Sequence, residues 1–415
     1  MVDIVELHGM LPDHPGEHFC IAPFQSTRQN AYGRTSPCAF GAGEWRYHDL
    51  SPAERWNAAE LNQLRLDFIQ GRKPTECFRC WDEEKAGKKS LRQRQLEYYP
   101  NDYRDFIKSG MWLSGPKTTV FKTSNVCNLA CRSCGGWDTN TYTQEGHYYA
   151  DTYSTKVVVD GEETVGNRFI PLLPPKHMDF MRFIDISQNL EKIDFFGGEP
   201  FLNITQLDLL EYLADRGLSK NITLFYSTNC TNQPTDRLKR AWDKFRRIEI
   251  SVSIDGIADQ FEYLRWPGKW QEFLAVLDHI KRLPDQLDCE VYRMAGLTVS
   301  LLNAWDVGPT EQWIRREIGD IYINMVNSPR YLNLHVAPDH VKSKYRQRVT
   351  NSEVLGYLDI EPFDPLSWKQ FIIWTKRQDL YRNQDFSKTF PDFYSAIQKD
   401  WDSITDLSES NFYSV

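Results

Sequence analysis

The stretch FKTSNVCNLACRSCGG, residues 121–136, places Cys127, Cys131 and Cys134 on one short loop, entered from a β-type run and left through two glycines. A structural zinc or a closed iron-sulfur cluster wants four protein ligands, so three thiols supplied by one loop leave one metal position free. The loop also opens a longer pattern. TTVFKT is followed by KIDFF (192–196), ITLFYST (222–228), RIEISVSID (247–255), VYRMAGLTVSLL (291–302) and DIYINMV (320–326), with helical patterns between them. This alternation is the βα signature of a parallel sheet. Six units predict an α/β fold with an open or partial (β/α)6 barrel, since eight would be needed to close one.

Two helices are marked clearly. Asn203 can cap a helix carrying Leu207, Leu210 and Leu213, which Gly217 ends. Phe273, Leu277 and Ile280 mark one face of another, stopped at Pro284. In RIEISVSID the apolar Ile248, Ile250, Val252 and Ile254 alternate with Glu249, Ser251, Ser253 and Asp255, whereas a strand buried on both faces reads as continuous hydrophobic. Helices covering the apolar side leave the polar side to a lumen that suits a polar ligand. The alternative is an antiparallel edge strand with one wet face, and the flanking helical patterns weigh against it.

The chain has 415 residues, 41% apolar and 26% charged, in the range of a soluble globular protein long enough for two domains. The amino terminus MVDIVELHGMLPDH has neither a basic leader nor an apolar core, and no run approaches about 18 consecutive apolar residues. The expectation is a cytoplasmic protein without membrane segments. A formal net charge of −8 argues against general nucleic-acid binding and leaves local basic patches open. Seven of the nine cysteines lie between residues 20 and 134, which reads as metal ligation in a chain with no secretory signal; Cys230 and Cys289 read as buried apolar residues.

CNLACRSC matches CxxxCxxC, the motif of the radical S-adenosylmethionine (radical SAM) superfamily, and the chain resembles that family over roughly residues 117–327. DFFGGEP (194–200) is similar to the family's GGEP motif, and Ser253 and Asp255 in SVSIDG and Arg265 in YLRWPG match further family positions. Singly, these read equally as a turn, a capping pair and a solvated charge; in register behind the cysteines they agree. The resemblance implies a [4Fe-4S] cluster on Cys127, Cys131 and Cys134, with S-adenosylmethionine chelating the open iron. Gly197, Gly198, Glu199 and Pro200 would border its methionine moiety, Glu199 facing the ammonium group. Ser253 and Asp255 would meet the ribose, and Arg265 the carboxylate. It further implies reductive cleavage to a 5'-deoxyadenosyl radical that takes hydrogen from a substrate, an electron donor such as flavodoxin or ferredoxin, and oxidoreductase-like or transferase-like chemistry.

Cys20, Gly33, Cys38, Cys77 and Cys80 follow the spacing C-x12-G-x4-C…C-x2-C, which resembles the start of a SPASM or twitch domain holding an auxiliary [4Fe-4S] cluster. Here it precedes the barrel and lacks the later cysteines of a full SPASM domain; a four-cysteine zinc site is the alternative. The expected domains are an auxiliary module (1–115), a barrel (116–340) with an insertion at 137–175 that turns at Asp160-Gly161 and either lids the site or elaborates the surface, and a carboxyl-terminal extension (341–415) without a recognisable motif. Lys85, Lys88, Lys89, Arg92 and Arg94 read as a solvated helix face, or else as a receiver for flavodoxin, a phosphate-bearing substrate or an acidic peptide. His335 reads as structural. Peptide or protein side-chain modification, a small-molecule reaction and a non-enzymatic zinc-stabilised binding protein are the functional readings, in that order.

Overall fold

In the computed structural model, which describes residues 2–30, 34–40, 45–46, 50–122, 124–159, 162–170 and 189–408, all six expected runs are strands. The strands in chain order are β1 (Ser26–Asn30), β2 (Arg34–Ser36), β3 (Trp45–Arg46), β4 (Thr118–Lys122), β5 (Lys156–Val159), β6 (Glu162–Val165), β7 (Lys192–Phe196), β8 (Thr223–Thr228), β9 (Arg247–Ser253), β10 (Glu290–Val299) and β11 (Ile321–Met325). The main sheet runs β11-β10-β9-β8-β7-β4-β1-β2-β3. From β4 to β11 neighbours are parallel and follow chain order, as βα units require. Gly33, the Asp160-Gly161 turn, residues 171–175 of the insertion and the tail beyond residue 408 lie outside the described residues; β5 and β6 form a separate antiparallel pair on either side of that turn.

Side-chain alternation decides which face meets the helices. On β9, Ile248, Ile250 and Val252 are fully buried, and on β10 Ala295, Leu297 and Val299 are too. They join Leu210 and Leu213 of the helix Gln206–Asp215 and Phe273, Leu277 and Ile280 of the helix Trp270–Lys281 in one core. The other face carries Glu249, Ser251 and Ser253 of β9, in register with Tyr292, Met294 and Gly296 of β10. The helix before β8 begins two residues later than expected: Thr205 is its cap, and Asn203 Oδ1 accepts from the Thr205 N–H at 3.0 Å.

The amino-terminal segment joins the same sheet. β1 adds parallel to β4 through the register Ser26↔Thr118 to Asn30↔Lys122. Residues after the CFRC motif reach the opposite edge, where Arg94 Nη2 donates to the Tyr322 hydroxyl of β11 at 2.9 Å and Lys88 Nζ lies 5.0 Å from that ring's centroid. The segment therefore touches both edges of the parallel strands. It has a core of its own, built on Phe19, Phe24, Trp56, Phe68 and Trp112, in which the buried Arg65 donates to the carbonyls of Pro23 and Trp56 at 2.8 and 2.7 Å.

The basic segment is only partly a solvated face: Lys85 and Lys89 are exposed, but two of its members are not. Lys88 and Arg92 are each only 3% exposed: Lys88 pairs with Glu83 at 2.7 Å, and Arg92 pairs with Glu84 at 2.8 Å while donating to the carbonyls of Glu17 and Phe19. A buried cation is retained only where a carboxylate and further acceptors meet it, and both are present here. Cys230 is fully buried as expected, Cys289 is half-buried, and His335 is buried beside Glu361.

The described part of the insertion is a packed wall and not a loose lid. On the helix Thr143–Tyr153, Glu145 accepts from Arg382 Nη2 at 2.9 Å and Nε at 3.1 Å, and from the Tyr149 hydroxyl at 2.5 Å. Arg382 closes Pro365–Arg382, the long helix of the carboxyl-terminal extension, so the extension packs directly against the insertion. Removing one partner of a buried pair strands the other, at a cost of about 3–5 kcal/mol. Glu145→Gln is expected to lower stability by that order, read as a shift of the urea midpoint. An exposed-pair control, Arg282→Gln opposite Asp278, is expected to change it by less than about 1 kcal/mol.

Candidate active site

The cysteine loop leaves the carboxyl end of β4 and is held from several sides. The Ala130 N–H donates to the Trp266 carbonyl at 2.6 Å, the Arg132 N–H to Leu264 at 2.8 Å, the Tyr142 hydroxyl to the Cys131 carbonyl at 2.7 Å, and Thr139 Oγ1 to the Leu129 carbonyl at 2.7 Å. Arg132, between the second and third cysteines, is fully buried and pairs with Asp379 at 2.5 Å. Gln378 donates to the Tyr142 hydroxyl at 3.3 Å, so the carboxyl-terminal helix braces the loop twice.

The three thiols share one loop, although among the described residues no three His, Cys, Asp or Glu side chains are gathered so as to hold a metal ion. Cys134 is hydrogen-bonded to Cys131, and that bond, with burial, raises its thiol well above the usual range. Burial pushes Cys127 up to about 12, against N–H donation from Leu129 at 3.4 Å and the Asn229 amide at 3.6 Å. Arg265 Nη1 lies 3.9 Å from Cys131 Sγ. Cys127 and Cys134 thus resist ionising alone, whereas a polycationic iron-sulfur cluster deprotonates its ligands outright. The donor set fits such a group.

At the end of β7, Gly197 and Gly198 have φ of +78° and +57°, and a Cβ on Gly198 would stand 2.3 Å from the Val126 carbonyl oxygen. This close approach needs glycine. The next amide, that of Glu199, donates to the same carbonyl at 2.8 Å. The Glu199 carboxylate accepts from Thr228 Oγ1 at 2.7 Å, the Asn229 N–H at 2.7 Å and the Phe201 N–H at 3.1 Å. Burial still pushes its carboxyl up to about 7, the donors acting in opposition. Pro200 is buried and starts a tight turn beneath it.

Beyond the glycines, Ser253 ends β9 with its hydroxyl 3.4 Å from that of Ser227. Asp255 and Arg265 form a buried ion pair at 2.8 Å, and Asp255 also accepts from the Thr298 N–H at 3.0 Å. The structure thus brings the three cysteines, the GGEP turn and Arg265 together, and pairs Arg265 with Asp255. Thr228 and Asn229 do not stand out in the sequence, although a polar triplet after ITLFYS is visible there. Lys122 and Asp138, paired at 2.5 Å under the glycines, carry no sequence signal at all.

Cys20, Cys38, Cys77 and Cys80 line one cavity of the amino-terminal segment together with Phe40, Phe68, Arg79 and Arg92. Burial and then the other three thiols raise Cys20 well above its usual range, while the Ala22 N–H donates to it. The four thiols share a cavity, but among the described residues they are not gathered into a metal-holding group.

Residues 121–298, less than half of the chain, match the family model described as the Radical SAM superfamily. No curated protein matches the chain. Among solved structures, "Native anSMEcpe with bound AdoMet and Cp18Cys peptide" is 14% identical at a TM-score of 0.34, over 64% of this chain and 61% of that one. The crystal structure of Streptococcus suis SuiB bound to S-adenosylmethionine is 11% identical at a TM-score of 0.32, over 91% of this chain and 74% of that one. SuiB bound to precursor peptide SuiA is 10% identical at 0.34, over 88% and 73%. The chain thus spans about three fifths of the anSMEcpe structure.

Two glycines with positive φ separate close approach from backbone freedom. Gly198→Ala drives a methyl into Val126, whereas a methyl at Gly217 (φ +70°) would meet nothing within 4 Å. Gly198→Ala is expected to weaken S-adenosylmethionine binding by about tenfold or more; Gly217→Ala should leave it unchanged, both measured by equilibrium dialysis after anaerobic reconstitution.

Proposed function

We propose that this protein is a radical SAM enzyme, with a [4Fe-4S] cluster on Cys127, Cys131 and Cys134 and an auxiliary cluster on Cys20, Cys38, Cys77 and Cys80. The observation that carries the reading is the cysteine loop joined to the GGEP turn through Val126 and to Arg265 through Cys131, within the matched residues. When bound, the cluster and S-adenosylmethionine supply one-electron cleavage of the sulfonium and a 5'-deoxyadenosyl radical able to abstract hydrogen from carbon.

The chain's own residues bind and orient. Gly197 and Gly198 let the turn pack against Lys122 and Val126, which sets Glu199, a carboxylate already held by three donors, toward an ammonium group. Arg265, adjoining Cys131, is the cation for the methionine carboxylate, and Asp255 holds that guanidinium in place while Ser253 stands at the strand end for the ribose. The buried flank formed by Tyr142, Tyr149 and the carboxyl-terminal helix limits solvent access from that side. The parallel sheet is read as a partial (β/α)6 barrel with its polar face toward this space, and the amino-terminal segment as a twitch-like module. The protein is placed in the cytoplasm, served by flavodoxin or ferredoxin.

The substrate is proposed to be a peptide or protein side chain, the reading implied by the resemblance to auxiliary-cluster modules. The small-molecule alternative rests on the basic segment receiving a phosphate. Its buried members Lys88 and Arg92 are instead occupied by Glu83 and Glu84.

The test is chromatographic detection of 5'-deoxyadenosine from the anaerobically reduced protein. Wild type is expected to produce it, and replacing Cys127, Cys131 and Cys134 together by alanine should abolish it. Cys77→Ala with Cys80→Ala should lower iron from about eight to about four per chain while cleavage persists. A wild-type protein with an assembled cluster at the loop and no 5'-deoxyadenosine contradicts the proposal; stoichiometric zinc with four irons removes the auxiliary cluster.

A further inference from the structure

The cations of the segment after the third amino-terminal cysteine are of two kinds. Lys88, Lys89 and Arg92 pair with Glu83, Glu97 and Glu84, while Arg94 donates to Tyr322 and Lys85 to the Ile360 carbonyl. Arg79, between Cys77 and Cys80, is different. Its guanidinium carbon lies 4.2 Å from the centroid of the Phe40 ring, and Nη2 donates to Asn324 Oδ1 at 3.3 Å. The Asn327 amide satisfies both its neighbours with its oxygen toward Arg79 Nε at 3.1 Å and its nitrogen toward the Val326 carbonyl at 3.3 Å. Among the described residues no carboxylate pairs with Arg79 and nothing accepts from Nη1. An aromatic face and two neutral amides hold the guanidinium in orientation, and the residue also borders the four-thiol cavity.

Its place on the sheet gives that charge a use. Asn324 lies on the face of β11 opposite the buried Ile323 and Met325, the face that also carries Ser253 and Thr298. It registers with Thr298, whose N–H donates to Asp255, the partner of Arg265 beside the cysteine loop. Adjacent strands are about 4.8 Å apart, so Arg79 is anchored about 10 Å, or two strand spacings, from the strand that leads to Asp255. A side chain whose end is fixed at that distance can present its own carbon atoms to the reacting centre.

We propose that Arg79 binds a carboxylate of the substrate, presented as an acidic side chain of a peptide, and so determines which peptide is accepted. This rests on the radical SAM reading of the neighbouring site. The unused edge of the guanidinium, Nη1 and the remaining Nη2 proton, matches the two oxygens of a carboxylate in parallel hydrogen bonds. A phosphate, with nearly two charges, calls for a second cation, and Lys88 and Arg94, the basic residues beside the neighbouring Tyr322, are already engaged with Glu83 and the Tyr322 hydroxyl.

The experiment uses two blocked pentapeptides that differ only in a central glutamate or glutamine. Each is titrated calorimetrically into anaerobically reconstituted full-length protein with S-adenosylmethionine present. Wild type is expected to bind the glutamate peptide about tenfold tighter or more, the worth of a charge-assisted contact. Arg79→Gln should bring the ratio to one and Arg79→Lys should keep part of it, with S-adenosylmethionine affinity unchanged in both. Equal binding of the two peptides to wild type, or a ratio that survives in Arg79→Gln, overturns the assignment. Failure of the underlying reading is seen separately, as a wild-type protein that assembles no cluster at the cysteine loop or binds no S-adenosylmethionine; the peptide ratio is still read on that sample and decides Arg79 by itself.

Discussion

The contact on which the site depends is the one between Val126 and the turn at residues 198–199. Gly198 passes so close to the Val126 carbonyl that a side chain cannot fit, and the Glu199 amide then donates to that carbonyl. This joins the cysteine loop after β4 to the end of β7. The Glu199 carboxylate extends the link by accepting from Thr228 and Asn229 at the end of β8, and Asn229 returns to Cys127 Sγ. Three strand ends are tied in one circuit by backbone groups and one buried carboxylate.

Buried ion pairs do the same work at longer range. Arg132 with Asp379 fastens the loop to the carboxyl-terminal helix, Arg382 with Glu145 fastens that helix to the wall before the hairpin, and Arg265 with Asp255 fastens the loop's neighbour to the end of β9. A buried pair adds little net stability over an apolar replacement, but it is intolerant of displacement because each stranded charge is costly. Placed around a ligand loop, such pairs favour a fixed donor geometry, which metal binding and radical chemistry both require.

What is legible in the sequence is local. All six strands of the chain-ordered sheet stand out because β-branched and aromatic runs alternate with helical periodicity, and the cysteines and glycines stand out because their chemistry is carried by spacing. The strand Ser26–Asn30 does not, since STRQN has no apolar pattern; its β conformation comes from pairing with β4 and not from its own residues. Nor can composition tell that Lys88 and Arg92 are buried, because a charged run looks the same whether water or Glu83 and Glu84 meet it. The carboxyl-terminal helix carries no motif, and its hold on Tyr142 and Arg132 is purely tertiary.

The central claim is that the loop supplies three thiolates and leaves one iron open to S-adenosylmethionine. The most direct measurement is the electron paramagnetic resonance spectrum of the reduced loop cluster with and without S-adenosylmethionine, recorded in a variant with Cys77 and Cys80 replaced so that one cluster contributes. Coordination of the open iron predicts that the g-values shift on addition and that a label in the methionine carboxylate or amine becomes hyperfine-coupled to the cluster. A spectrum that S-adenosylmethionine leaves unchanged, at concentrations where the protein demonstrably binds it, would contradict the account.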